Sequence, residues 1–305
     1  MKVGSFPEQA LRQQLSEPGI RLRTGPFVFS IRSSIPALAA SIRLLYADHD
    51  LESAETFADF HVCLHRPHSL RYLYGKQVFF EFEGHSHFKP LPLEQAFPML
   101  EWGMNWCIST HAQQYLIIHA AVIERDGLAV VMPAPPGSGK STLCAGLVSR
   151  GWRLLSDELA MVRLADSALV PLARPISLKN QSIDVMRAFA PDMLISPPIH
   201  DTTKGTVAHL KAGLSSVERV NETAMPAWVI FPKYESTSPT SLTPHPKAQA
   251  FMELGQQSFN YAKLGQPGFE ALATLVDHSL CFDFRYSSLD EAIATFNNLP
   301  RPTQP

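Results

Sequence analysis

The nine residues Ala134-Pro135-Pro136-Gly137-Ser138-Gly139-Lys140-Ser141-Thr142 constrain this chain more than any other segment. An apolar run at 128–132 precedes them, and a helical stretch at 140–150, ended by Gly151, follows. Strand, Gly-rich turn, Gly-Lys-Ser and helix in that order form the Walker A pattern of a phosphate-binding loop, or P-loop. A polyphosphate is wrapped by successive backbone N–H groups, and side chains at the turn would block that approach, so glycine is needed there. The following helix adds its free N-terminal amides and its dipole. In this reading Pro135, Pro136, Gly137, Ser138, Gly139, Lys140, Ser141 and Thr142 cradle the phosphates of ATP. Lys140 reaches the β- and γ-phosphates, and the Ser141 hydroxyl ligates Mg2+. The pattern departs only at its first position, where Ala134 replaces glycine.

The surrounding sequence sorts into two units. At 305 residues and 45% apolar composition, two cores are expected. Residues 1–112 predict a small α+β N-terminal domain. It has a helix at 8–15 followed by a turn, and a strand at 27–31. A helix with Ser34 as cap and Pro36 in its first turn then places Leu38, Ile42 and Leu45 on one face. Phe60, Val62 and Leu64 alternate as a strand, 72–74 and 78–82 suggest a hairpin about Gly75-Lys76, and 92–108 reads as helix, with Pro98 near its start. Residues 113–305 predict an α/β domain around the loop. A strand at 115–123 returns through Asp126-Gly127, a favoured hairpin turn, into 128–132. Further strands are expected at 152–155, 159–164, 228–231 and 281–286, and helices at 246–257, 268–277 and after the capping box Ser288-Leu289-Asp290-Glu291. The proline-bearing stretches 191–206 and 234–246 read as loops.

Composition narrows the function classes. Twenty-six basic residues against 28 acidic ones give a net charge of −2, with no electrostatic reason to expect nucleic acid or a membrane surface as partner. Cys63, Cys107, Cys144 and Cys281 are far apart, as for reduced, mostly buried thiols, and the N-terminal residues lack a signal-peptide apolar core, so a cytoplasmic location is expected. His61, His65 and His68 lie close in sequence, with His85 and His87 following, but at no familiar zinc spacing.

A P-loop alone does not name a reaction. Leu178-Lys179-Asn180-Gln181 does not supply the Asn-Lys-x-Asp of a GTPase, and no Leu-Ser-Gly-Gly-Gln marks an ABC ATPase. The positive clue is that the loop-feeding strand pairs antiparallel with its predecessor. With His119 in Ile117-Ile118-His119-Ala120-Ala121, the loop, and Asp157-Glu158 in Leu154-Leu155-Ser156-Asp157-Glu158-Leu159, the chain resembles the HPr kinase/phosphorylase family and its HPr-related kinase A subgroup. Weaker likenesses are Arg174-Pro175-Ile176-Ser177-Leu178-Lys179-Asn180, Thr203-Lys204-Gly205, Ser258-Phe259-Asn260-Tyr261 and the Glu101-Trp102-Gly103 region. The resemblance implies an HPr kinase/PEP carboxykinase-like fold and an ATP- and Mg2+-dependent serine kinase acting on a protein or small peptide, with homo-oligomerisation as a family trait. It departs at Glu158, where true HPr kinases have aspartate, and at Thr142, where they have glutamate.

By resemblance, Asp157 is the expected proton acceptor, with His119 and Lys140 beside the phosphates and Glu158 holding metal with Ser141. Adjacent residues of a continuous strand point to opposite faces, so only one of Asp157 and Glu158 is expected to face the γ-phosphate. Arg174, Lys179 and Lys204 are either phosphate contacts or surface cations. The first unit is expected to recognise the substrate or a carrier. A small-molecule kinase and a non-enzymatic ATP sensor remain open alternatives.

Overall fold

A computed structural model describes residues 1–67, 76–135 and 137–302, and the structure is mixed α/β with several sheets. The expected strand at 72–74 with Gly75 of its turn, and Pro136 of the loop, lie outside the described residues.

The first sheet runs in the order β3-β1-β2-β4-β5-β6, built from β1 (Ile20–Thr24), β2 (Phe27–Ser33), β3 (Leu51–Glu52), β4 (Phe60–His65), β5 (Gln77–Phe82) and β6 (His85–Ser86). A short β7 (Leu91–Pro92) also pairs with β5. β1 corrects the sequence reading, which placed a turn there. Ile20, Leu22 and Thr24 are buried while Arg21 and Arg23 alternate outward, the signature of a half-buried strand. α1 (Glu8–Ser16), α2 (Pro36–Leu45) and α3 (Ala96–His111) pack on this sheet. Pro36 takes the first turn of α2 as expected, but Ile35 occupies the cap position, without a side-chain cap bond. α2 lies between β2 and β4, which pair parallel and so need a crossover. α3 packs closely on β5 at Gly103, where a Cβ would fall 2.1 Å from the Phe80 ring.

The second sheet is built on β8 (Tyr115–Arg125) and β9 (Leu128–Pro133), joined as expected by an antiparallel turn with positive φ at Asp126 (55°) and Gly127 (78°). α4 (Lys140–Ser149) follows the Gly-rich loop. β8 is long enough to take two partners on one side: β10 (Arg153–Ser156) along its second half and β11 (Leu159–Arg163) along its first. β12 (Leu169–Val170) extends the β11 edge, and β13 (Ile176–Lys179) leads into α5 (Gln181–Phe189). The stretches read as loops carry strands. β14 (Ile199–Thr202) forms a hairpin with β15 (Gly205–Leu210), giving a small sheet in the order β13-β15-β14. After α6 (Leu214–Glu218), β16 (Met225–Tyr234) enters the main sheet parallel to β9, and β17 (Ser241–Pro244) lies antiparallel to β18 (Leu280–Tyr286), which is parallel to β16. α7 (Lys247–Gln256), α8 (Tyr261–Leu264) and α9 (Gln266–His278) cover one face, while α4 and α10 (Leu289–Asn297) cover the other. Ser288 caps α10, its hydroxyl accepting the Glu291 N–H, as the capping box predicts.

Among the described residues no ladder joins the first sheet to the second, yet their cores merge: Ile117, Leu159, Met161 and Leu172 pack into the cluster built by α1–α3. Polar ties cross as well, including Lys211–Asp48 at 2.6 Å and Arg174–Glu101 at 3.0 Å. Cys107, Cys144 and Cys281 are buried free thiols and Cys63 is half-buried. Among the described residues no helix is long and apolar enough to cross a membrane.

Candidate functional site

The Gly-rich loop leaves β9 at Pro133 and enters α4 at Lys140. Gly137 and Gly139 both have left-handed backbones, φ 88° and 86°. At Gly137 an added Cβ would meet open space, so only the backbone angle demands glycine. At Gly139 a Cβ would also lie 2.6 Å from the Tyr286 hydroxyl and 2.8 Å from Tyr234 Cβ. Those tyrosines hold the loop from the far ends of β16 and β18. The Tyr234 N–H donates to the Ser138 carbonyl at 2.9 Å, and the Tyr286 hydroxyl donates to the Gly139 carbonyl at 3.0 Å.

The charged residues gather beside this loop. His119 sits on β8 opposite Leu159 of β11, next to Glu158. Its Nε2 lies 3.2 Å from Glu158 Oε2 and 3.4 Å from Lys140 Nζ. The Ser141 hydroxyl donates to Asp157 Oδ2 at 3.1 Å, and the Ser177 N–H of β13 donates to the same oxygen at 3.3 Å. Asp157 Oδ1 is buried and has no hydrogen-bond partner among the described residues. Lys179 and Lys204 line the same cleft, whose volume is about 620 Å3. Lys204 also lies over the Trp102 ring of α3, 4.9 Å from its centroid.

The carboxylate pair is set by a turn rather than by a continuing strand. β10 ends at Ser156, whose hydroxyl accepts the N–H of Leu159 at 3.0 Å and of Glu158 at 3.4 Å. This turn breaks strand alternation, so both carboxylates reach the loop side. Asp157, 5% exposed, lies behind Ser141, whereas Glu158, with a quarter of its side chain exposed, lines the cleft.

Their surroundings push the two apart in acidity. Burial raises the Asp157 pKa to about 6, the neighbouring Glu158 charge adding to the rise and Lys140 opposing it. Burial would raise Glu158 too, but the His119 hydrogen bond and the ammonium groups of Lys140, Lys179 and Lys204 outweigh it and hold the carboxyl below the ordinary range. Burial lowers Lys204. Three lysines thus share the cleft with one open carboxylate, a balance that favours an anion.

Among the described residues no three His, Cys, Asp or Glu side chains are grouped to hold a metal by themselves. Mg2+ needs few protein ligands when phosphates supply the rest. The hydroxyl of Ser141 and the orphaned Oδ1 of Asp157 suit such an ion, which would give that oxygen the partner it lacks. His61 and His65 instead contact Glu83 and Glu81, at 3.1 and 2.8 Å.

The structure therefore brings together His119, Lys140, Ser141, Asp157 and Glu158, with Pro135, Gly137, Ser138, Gly139 and Thr142 on the cleft wall. It does not bring Arg174, which is neither a cleft contact nor a surface cation. Its side chain is 7% exposed and pairs with Glu101 and Asn105 of α3. Ser177, which reaches Asp157, and Tyr234 and Tyr286, which reach the loop, come from distant strands and carry no local signal in the sequence. The segment Ser258-Phe259-Asn260-Tyr261 runs along the free edge of β8, its Phe259 ring 6.0 Å from that of His119.

A family model described as SynChlorMet cassette protein ScmC matches residues 95–170, about a quarter of the chain. The match spans α3, the β8–β9 hairpin, the Gly-rich loop, α4 and both carboxylates. No curated protein matches the chain.

Proposed function

We propose that this chain is an ATP-dependent kinase with an HPr kinase/PEP carboxykinase-like P-loop domain, transferring the γ-phosphoryl group to a serine hydroxyl of a protein or small peptide. One observation carries the reading: Lys140, His119 and Glu158 form a contiguous cluster beside a loop whose two described glycines are left-handed, and Asp157 is bonded to Ser141 at the start of the same helix.

Phosphoryl transfer depends on positioning and charge neutralisation more than on covalent help. The loop N–H groups and the start of α4 bind and orient the phosphates. Lys140 stabilises negative charge that develops on the transferred group. Mg2+, when bound, would supply further neutralisation of phosphate charge. The serine oxygen forms a bond to the γ-phosphorus, the bond from that phosphorus to the β–γ bridging oxygen breaks, and ADP leaves with its electron pair. The hydroxyl proton goes to Glu158, the carboxylate that opens to the cleft. His119 orients Glu158 through Nε2. Asp157 fixes Ser141 and the start of β13 and stands where metal would be held. This proposal exchanges the roles that the resemblance implies for the two carboxylates.

The turn between β14 and β15, whose Lys204 lines the cleft, rests on the first unit, through Lys204 over Trp102 of α3 and through the side-chain amide of Gln95, just before α3, donating to the Asp201 carbonyl at 3.0 Å. This supports an acceptor-recognition role for the first unit. The test is incubation with γ-labelled ATP and polypeptides encoded beside this chain, the matched family being named for a cassette. Label on serine, lost in Glu158→Gln, is expected. ATP binding without transfer to any polypeptide or small acceptor would instead identify a nucleotide sensor.

A further inference from the structure

Of the three lysines in the charged cleft, only Lys140 belongs to the Gly-rich loop and its helix. Lys179 comes from the end of β13 and Lys204 from the turn between β14 and β15. Neither ammonium has a hydrogen-bond or ion-pair partner among the described residues. Alternation along β13 sends Ile176 and Leu178 into the core, so Ser177 and Lys179 share the opposite face. The turn that carries Lys204 is braced from several sides. The Thr202 hydroxyl accepts the Lys204 N–H at 3.1 Å and donates to the Gly205 carbonyl at 2.6 Å. Asn180, next to Lys179, donates its N–H to the Thr206 carbonyl at 2.8 Å and accepts the Thr206 N–H on Oδ1 at 3.0 Å. A Cβ on Gly205 would fall 2.3 Å from that Oδ1. Asn180 holds φ 51° and ψ −126°, a backbone region that only glycine adopts freely, and such strain persists where the surrounding contacts over-determine it. From the first unit, the Trp102 ring lies against the Lys204 ammonium. Burial lowers the Lys204 pKa, and of the charges acting on that ammonium Glu158 comes first, Lys179 second and Lys140 last.

Resting on the kinase reading above, we propose that Lys179 and Lys204 form an acceptor-side anion subsite, taking a side-chain carboxylate close to the acceptor serine, and that Trp102 of the first unit positions Lys204 for it. The loop amides and Lys140 are the groups that the nucleotide phosphates need. The other two lysines stand on a separate, rigid support in the cleft into which Glu158 opens, where the serine must come. An ammonium is a compact point charge with donors in several directions, so the pair selects for negative charge near the serine rather than for one side chain. The two like charges repel each other, and a carboxylate between them relieves that repulsion while it neutralises both.

The test loads the full chain with Mg2+ and a non-hydrolysable ATP analogue and titrates it with peptides blocked at both ends. Each peptide has a central serine, flanked on both sides by aspartates, by asparagines or by lysines. The aspartate peptide is expected to bind at least about tenfold more tightly than the asparagine peptide, and the lysine peptide least of all. Lys204→Gln cuts that advantage to about threefold or less and Lys204→Glu abolishes it, while affinity for the nucleotide analogue stays within about twofold in both. Trp102→Leu weakens the aspartate peptide but not the asparagine peptide, and Trp102→Phe, which keeps a ring under the ammonium, restores it; a general loosening of the structure would not separate the two peptides. With γ-labelled ATP the same variants raise KM for the aspartate peptide and leave kcat nearly unchanged. Equal affinity for the aspartate and asparagine peptides, an aspartate advantage that survives Lys204→Glu, or a loss of nucleotide affinity in its place would overturn the subsite. Aspartate-selective binding with no label passing to serine would overturn the kinase reading and leave the anion subsite standing.

Discussion

Two charge clusters lie on either side of the segment that leads into β13, and they are built on opposite plans. On the side of the first unit, Glu101 and Arg174 pair at 3.0 Å with side chains only 5% and 7% exposed; Tyr46 donates to Glu101 and Arg174 Nη2 to Asn105, while Arg174 Nη1 is buried without a partner among the described residues. Burial, together with the Glu101 charge, pushes the Tyr46 hydroxyl well above its ordinary pKa, and burial also raises Glu101 itself. On the other side, His119 and Glu158 are each about a quarter exposed, and the lysines outnumber the open carboxylate. Desolvating an ion costs several kcal/mol, so the closed cluster is tolerable only because its opposite charges are paired, Glu101 with Arg174. The open cluster keeps His119 and Glu158 in contact with water, although Lys140 is itself buried, and leaves its positive charge in excess, which suits a site that must receive an anion. The two are mechanically joined. Arg174 anchors the segment on α3, and Ser177, three residues on, donates its N–H to Asp157.

The largest effects should break this contrast at its two centres. Glu158→Gln is expected to lower phosphoryl transfer about 10²–10⁴-fold while ATP affinity stays within a few-fold, as read by single-turnover kinetics and calorimetry. Loss of binding in step with transfer would move Glu158 out of the proton-accepting role. Arg174→Met leaves Glu101 buried and unpaired, and denaturant titration should show a loss of about 3–5 kcal/mol. The double variant Arg174→Met with Glu101→Leu should recover much of that loss. Equal stability of the single variant and wild type would contradict a closed, matched cluster.

A smaller effect concerns pH. His209 of β15 packs against Phe97 of α3, and burial, with the nearby Arg174 and Lys179 charges adding to it, lowers its pKa to about 3. Burial likewise lowers His49, whose Nε2 contacts the Ala173 carbonyl, to about 4. Both stay neutral in the fold, while the unfolded chain takes up protons below its ordinary histidine pKa of about 6.5. Stability is therefore fully present above that value and falls as pH drops through 6 toward 4, by about 1.4 kcal/mol per pH unit for each group. His209→Phe should remove one proton's worth of that slope in melts between pH 4 and 7; an unchanged slope would contradict it. Smallest of all, Asp157→Asn should stabilise the ligand-free chain by about 1 kcal/mol, because it removes a buried charge with one unpartnered oxygen, yet weaken Mg2+-dependent ATP binding. A destabilised variant with unaltered Mg2+ dependence would deny Asp157 its assigned place.

What could be read from the residues was local. The hairpin at Asp126-Gly127, the glycines of the loop and the Ser288 cap each follow from adjacent residues, and all lie where expected. β1 was legible in the alternation of Ile20, Leu22 and Thr24 but was obscured by the turn-forming Pro18-Gly19 and Gly25 around it. β14 and β17 were not legible, since both are short and largely polar and lie at sheet edges, so no apolar period exists to detect. One misreading at the site, that of Arg174, has a non-local cause. Arg174 looks like a surface cation until Glu101, 73 residues earlier in sequence, arrives beside it. The orientation of Asp157 and Glu158 depends on whether the strand continues through them, and the Ser156 hydroxyl, by capping two N–H groups, ends it there.

The account stands or falls on whether the amides of 137–142, with Lys140, hold a triphosphate. Titration of the folded chain with Mg2+ and ATP, beside Lys140→Ala, asks this directly. One ATP should bind per chain in wild type, with binding lost in a variant whose circular dichroism and melting profile are preserved. Wild type that takes up no ATP, or a Lys140→Ala chain that binds it equally well, would contradict a phosphate site at this loop.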